Sequence, residues 1–267
     1  MGFPNIIFGR YGDEKVAQST KIGNLPLGQL MILPDGRKFR HGQVGAASIK
    51  AGQVVSCSAG LPGDGAVASS GLKASATVTH NQVGDTAVYV ATSLLALTLD
   101  QYAEGTLNVS EPAASSYIGQ LYKIKGNAAA ASVGAGGAAK ITLYETDPLK
   151  VAWAPTSTLV TLRKSAFKDL IPNAGATVIA PPMGVAPIAA SIGFYTWVQR
   201  SGEASVLQAA TVCVDGQPVI CSSVEAGSVT VAVSAEAAQS ISIRQCIGYA
   251  MEGGAASVAV RVFLTLE

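Results

Sequence analysis

The chain has 267 residues and a formal net charge of +1, with 49% apolar residues and only 13% charged ones. That length allows one large domain or two small ones, and the charge balance argues against a globally basic nucleic-acid binder and against an acidic solvating tail. So little charge protects a free monomer poorly, which points to assembly on a larger surface.

Residues 1–45 form the first compositional block. Pro4, Pro26, Pro34 and frequent glycines interrupt short apolar pieces at Ile6-Ile7-Phe8 and Leu30-Met31-Ile32-Leu33. Pro and Gly at this density break helices and strands alike. Arg10, Lys15, Lys21, Arg37, Lys38 and Arg40 outnumber Asp13, Glu14 and Asp35. The block reads as an extended N-terminal arm with one short strand at 29–33. Pro34-Asp35-Gly36-Arg37 then makes a turn, and Lys38-Phe39-Arg40 returns as the second leg of a hairpin.

From residue 46 onward, Val, Ile and Thr alternate with polar or small residues in short runs, which is the mark of half-buried strands. The clearest runs are 53–58, 74–79, 86–90, 139–144, 158–162, 194–200, 211–214, 228–233 and 257–266. Turn residues separate them at 62–65, Asn81, Gly84-Asp85, Gly126-Asn127, Asp215-Gly216 and Gly253-Gly254. This spacing predicts an all-β protein of sandwich or barrel-like modules. Helical pattern is confined to 165–170 and 234–239, and the Ala/Gly-rich stretch 127–139 reads as a hairpin loop. Pro172, Pro181, Pro182 and Pro187 mark a second break, since prolines remove backbone donors. The expected organisation is an arm at 1–45, a β-rich domain at 46–171, a Pro-rich linker at 172–187 and a C-terminal β domain at 188–267.

The apolar runs at 92–99 and 178–182 are far short of the roughly 20 residues that a spanning helix needs. The first residues lack a basic and then apolar leader, so the expected site of synthesis and residence is a cytoplasm. Cys57, Cys213, Cys221 and Cys246 form no C-x-x-C pair, and with only His41 and His80 beside them a zinc site has weak support. Buried apolar cysteines are expected, and a disulfide between two of Cys213, Cys221 and Cys246 stays open. No G-x-S-x-G, H-E-x-x-H or phosphate-binding loop occurs, and the scattered carboxylates Asp100, Glu104, Glu111, Glu145 and Asp147 read as solvated faces or strand ends. An enzyme is therefore not expected, nor a metal or cofactor. The basic trio Arg37, Lys38 and Arg40 could touch phosphate, but pairing with acidic residues of a protein partner is the favoured reading.

The C-terminal third carries the most information. It contains Gly193-Phe194-Tyr195-Thr196-Trp197-Val198-Gln199-Arg200-Ser201-Gly202, then Val214-Asp215-Gly216-Gln217-Pro218-Val219, then Cys246-Ile247-Gly248-Tyr249-Ala250 and a closing strand. Alternation puts Tyr195 and Trp197 on one face, with Phe194, Thr196 and Val198 on the other. The order of these elements, with Leu27-Gly28-Gln29-Leu30-Met31-Ile32-Leu33-Pro34-Asp35-Gly36-Arg37 near the start, resembles tailed-bacteriophage virion structural proteins. Within that class it is similar to the small β domains of capsid decoration (cement) proteins. The resemblance covers 25–40 and 193–266 and carries no catalytic residue.

It implies a partner in the major capsid protein, self-association as a dimer or trimer, and a place on the capsid surface of a virion assembled in the host cytoplasm. Membrane and specific nucleic-acid partners are not expected. The arm supplies the candidate partner-binding residues Ile6, Ile7, Phe8, Arg10, Arg37, Lys38, Phe39 and Arg40. Alternatives are a tail, baseplate or fibre component, and a carbohydrate-binding or hydrolytic β domain.

Overall fold

Among the described residues 46% are in strands and there is no helix. The computed structural model describes residues 5–21, 25–57, 72–73, 81–91, 96–111, 119–130, 138–153, 159–174, 180–232, 245–255 and 258–267. The fold is all-β, as the alternation predicts. The chain divides into two compact units, Met1–Ala59 with Ala166–Glu267, and Gly60–Ser165.

The first unit begins with β1 (Ile6–Phe8), β2 (Ala17–Gln18), β3 (Leu30–Ile32), β4 (Lys38–Gln43) and β5 (Val54–Ser56). The second unit holds β6 (Leu72–Lys73), β7 (Ala87–Ala91), β8 (Thr106–Glu111), β9 (Leu121–Asn127), β10 (Ala138–Leu143) and β11 (Leu159–Arg163). The first unit then resumes with β12 (Ile171–Pro172), β13 (Pro182–Val185), β14 (Tyr195–Leu207), β15 (Pro218–Cys221), β16 (Val229–Val231), β17 (Cys246–Ala250) and β18 (Ala259–Thr265).

In the first unit the main path of the sheet runs β1-β3-β4-β14-β18-β17-β15-β16. β14 organises it. Residues 195–201 pair antiparallel with β4, and residues 201–207 pair antiparallel with β18. Val198 packs on one side with Val44, Val55 and Leu170, while Trp197 packs on the other with Leu25, Met31, Leu33 and Phe39. The later half of β14 turns Ala204 and Val206 toward Val260, Val262 and Leu264 of β18 in a third apolar cluster.

The N-terminal block is extended, and the hairpin forms as expected, with Leu30 opposite Arg40 and Ile32 opposite Lys38. It does not stand apart from the body. β4 lies directly beside β14 and buries Phe39 completely. The boundary expected at 45/46 is therefore absent.

The linker expected at 172–187 is likewise paired structure where described. Pro172 faces Val55, and β13 pairs with both β5 and β14. Proline is accommodated at edges and at the first residue of a strand, where its missing donor is not needed. The segment 46–171 is no single domain either. β5 and β12 pair with each other, so the second unit is an insertion between two neighbouring strands.

The second unit is a six-stranded antiparallel sheet in the order β6-β11-β8-β9-β10-β7. Alternating residues of β9 and β10 bury Tyr122, Ile124, Ala139, Ile141 and Leu143 against Leu107, Val109, Val160 and Leu162. Two buried asparagines replace missing backbone partners. Asn81 Oδ1 accepts from the Tyr89 amide at 2.8 Å, and Asn127 Oδ1 accepts from the Tyr102 amide at 2.8 Å.

Other local expectations divide. Residues 211–214 form no strand: the Cys213 amide donates instead to Gln208 Oε1 at 2.8 Å. Gly126-Asn127 continues β9 rather than turning, and 165–170 is a turn that ends in a bridge between Leu170 and Val44. The strand expected at 74–79, the turn at 62–65, the helix at 234–239, most of the loop at 127–139 and His80 lie outside the described residues.

Candidate functional site

Two surfaces of the first unit combine exposed apolar side chains with groups left open to a partner. The first is the edge of the sheet. Among the described residues β1 pairs only with β3, in parallel, placing Ile6 opposite Leu30 and Phe8 opposite Ile32. Strand alternation turns Ile7 inward against the cluster of Leu25, Met31, Leu33, Phe39 and Trp197. Ile6 and Phe8 consequently point outward, 42% and 81% exposed. Gly9 ends the strand where a Cβ would fall 2.7 Å from Met31 Sδ, so the backbone can lie tight on β3. The Arg10 amide then donates to Asp13 Oδ2 at 2.8 Å, and exposed Tyr11 follows.

The remaining candidates lie on the hairpin. Phe39 is wholly buried and has no surface to offer a partner. Lys38 is half-buried. Arg37 Nε donates to Asp35 Oδ2 at 2.6 Å, its Nη2 lies 3.8 Å from Glu14, and its guanidinium stands 5.7 Å from the Phe39 ring centre. Arg40 pairs with Glu267 and donates from Nη1 to the Gly28 carbonyl at 2.8 Å. The structure thus groups Ile6, Phe8 and Arg10 on one exposed edge, while Arg37 and Arg40 are tied into the first unit's own ion pairs.

The second surface is a groove of about 560 Å³ between the β3–β4 turn and the sheet face of β14 and β18. A register shift between Gln199 and Ser201 interrupts the pairing near the middle of β14, as a bulge does. Gly202 then adopts φ +86°, and a Cβ there would lie 2.9 Å from Arg37 Cγ, so glycine lets the hairpin turn settle on the strand. Ser201, Gly202 and Ser205 give a small-residue floor, and Phe263, Met251 and Arg261 form the far wall. Phe263 lies between Glu203 and Tyr249 in the cross-strand register.

Charges in the groove hold one another. Arg261 donates from Nε to Glu252 Oε2 at 2.8 Å and from Nη1 to Glu203 Oε1 at 3.3 Å. Those two carboxylates push the Arg261 guanidinium above its usual range. Burial acts to raise the Asp35 carboxyl, but hydrogen bonds and charge from Arg37 outweigh it and leave the group below the usual carboxylate value.

His41 is buried, stacks on Tyr195 at 5.7 Å between ring centres and tilts against Trp197 at 5.3 Å. None of the four cysteines is in a disulfide; Cys213 and Cys221 are buried and Cys246 is exposed. Burial also raises the Cys213 thiol, the direction opposite to that of an activated cysteine. Among the described residues, no three His, Cys, Asp or Glu side chains gather into a group that could hold a metal.

The groove residues Glu203, Arg261 and Phe263 escaped the sequence reading. A signal for part of the wall existed: strict alternation in Ala-Val-Arg-Val-Phe-Leu-Thr puts Arg261 and Phe263 on the face opposite Val260, Val262 and Leu264. No family model, curated protein or solved structure matches this chain.

Proposed function

We propose that this chain is a structural protein of a tailed-bacteriophage virion that decorates and stabilises the outside of the capsid. Its partners are the major capsid protein and further copies of itself. The observation that carries the reading is the open edge at β1, with Ile6 and Phe8 turned outward. Sheet proteins ordinarily protect such an edge with charge, proline or a covering segment. An open apolar edge suits strand addition, in which backbone pairing supplies affinity and alternate side chains supply register. The resemblance of 25–40 and 193–266 to virion proteins supports the same reading, as does a low charge content in a chain meant to pack among many copies. Each contact can be modest, because a repeating shell multiplies it.

The test uses capsids that lack this protein. The full chain and an Ile6→Lys/Phe8→Asp variant are each mixed with them and pelleted, and bound protein is counted against capsid subunits. The wild type is expected to bind in a fixed ratio to the shell, and the variant to melt like the wild type yet bind about tenfold or more weakly, a change of roughly 1.4 kcal/mol. Binding confined to tails, or undiminished binding of the variant, would overturn the proposal.

A further inference from the structure

We infer that the groove between the β3–β4 turn and β18 is a binding site for neutral saccharides, separate from the β1 edge. The first reason is its charge. Asp35 and Glu203 on the lining balance Arg37 and Arg261, and Glu14 and Glu252 add negative charge at its margins. Each guanidinium already faces carboxylates. An anionic ligand would meet those carboxylate oxygens as well, so phosphates, nucleic acids and acidic sugars are disfavoured.

The second reason is that the polar groups are pre-set but not used up. Arg261 is held through Nε and Nη1, and Glu203 through Oε1. Among the described residues, Arg261 Nη2 and Glu203 Oε2 make no hydrogen bond. A donor and an acceptor fixed side by side match the paired donor and acceptor character of adjacent sugar hydroxyls. Holding both groups in place beforehand lowers the ordering cost of binding.

The third reason is the apolar wall. Phe263 is 48% exposed at the groove, with Tyr249, 50% exposed, directly across the strand pair. An aromatic face in a polar surround receives the C–H face of a pyranose while its hydroxyls reach the charged groups. Ser201 and Ser205 on the lining add hydroxyls. The volume, about 560 Å³, falls within the range of small-molecule sites and suits a short oligosaccharide rather than a single sugar.

The experiment applies the labelled full chain to an array of neutral glucose-, galactose-, mannose- and N-acetylglucosamine-terminated glycans, with sialylated and sulfated glycans alongside. Any hit is titrated by calorimetry with Phe263→Ala, Glu203→Gln and Ile6→Lys/Phe8→Asp. The expected result is retention on at least one neutral class. Phe263→Ala and Glu203→Gln should each weaken it about tenfold or more at unchanged melting temperature, and the edge variant should bind normally. No neutral hit, preference for the acidic glycans, or equal binding by the two groove variants would overturn the inference. Because the edge variant separates the two surfaces, failure here leaves the capsid reading to its own test. Should Glu203→Gln alone fold, its loss or retention of binding decides the matter.

Discussion

Trp197 is a β14 residue whose apolar neighbours come mostly from the other end of the sequence. Leu25, Met31, Leu33 and Phe39 surround it, and it is only 6% exposed. Its burial is readable from position alone, since a large ring mid-strand among β-branched and aromatic residues fills a core. Which residues it would meet is not readable, because nothing local in 25–39 names its partner. Trp197→Ala should destabilise the first unit by about 3–5 kcal/mol, read from the denaturant midpoint at unchanged slope. A loss below about 1 kcal/mol would contradict this packing. The groove shows the same divide. Arg261 and Phe263 are visible as one face of an alternating strand, but Asp35 and Arg37 reach that face from over 220 residues earlier along the chain, a juxtaposition that the pairing of β4 and β18 with β14 creates.

At the scale of elements, short-range chemistry is legible and long-range pairing is not. The β3–β4 hairpin follows from Pro34-Asp35-Gly36, where Gly36 takes φ +85° and its amide donates to the Leu33 carbonyl at 2.9 Å. By contrast, the prolines of 172–187 carry the composition of a linker, yet β5 gives them a strand to pair with. The same contrast governs the N-terminal segment. Its Pro/Gly punctuation suggests an arm that a partner orders, but β4 is the direct neighbour of β14 and contributes a fully buried Phe39. Removing residues 1–45 should therefore abolish folding of the first unit, whereas removing residues 1–9, which takes only β1, should leave it folded with a modestly lower melting temperature. Circular dichroism and thermal melts of the two truncations check this. A 1–45 truncation that melts like the full chain would show that the β4–β14 pairing is dispensable.

At the scale of the whole molecule, the chain leaves the first unit after β5 and returns to it at β12, two strands that lie side by side. Ile171 faces Ser56, and Asn173 donates to the Ser56 hydroxyl across 117 residues of sequence. Exposed connections with neighbouring ends tolerate insertion and excision well. Replacing residues 60–165 with a short Gly/Ser linker should give a soluble, cooperatively folding first unit. Residues 60–165 expressed alone should fold around their own core of Leu107, Ile124, Ile141 and Leu162. Sharp thermal transitions for both pieces are the expected outcome, and aggregation of both would mean that neither unit is independent.

The pairing of β14 also sets an order of events during synthesis. Tyr195 needs Gln43 beside it, and Ser201 needs Thr265. The inserted unit is contiguous in sequence and can close as soon as β11 leaves the ribosome. The β3–β4 hairpin, made first, must wait with Met31 and Phe39 uncovered until β14 arrives, and the sheet gains its last strand only with β18. Sequence-distant contacts of this kind fold slowly and leave apolar edges open to wrong partners meanwhile. The nascent chain therefore matures from the middle outward, and its earliest residues are among the last to find their place.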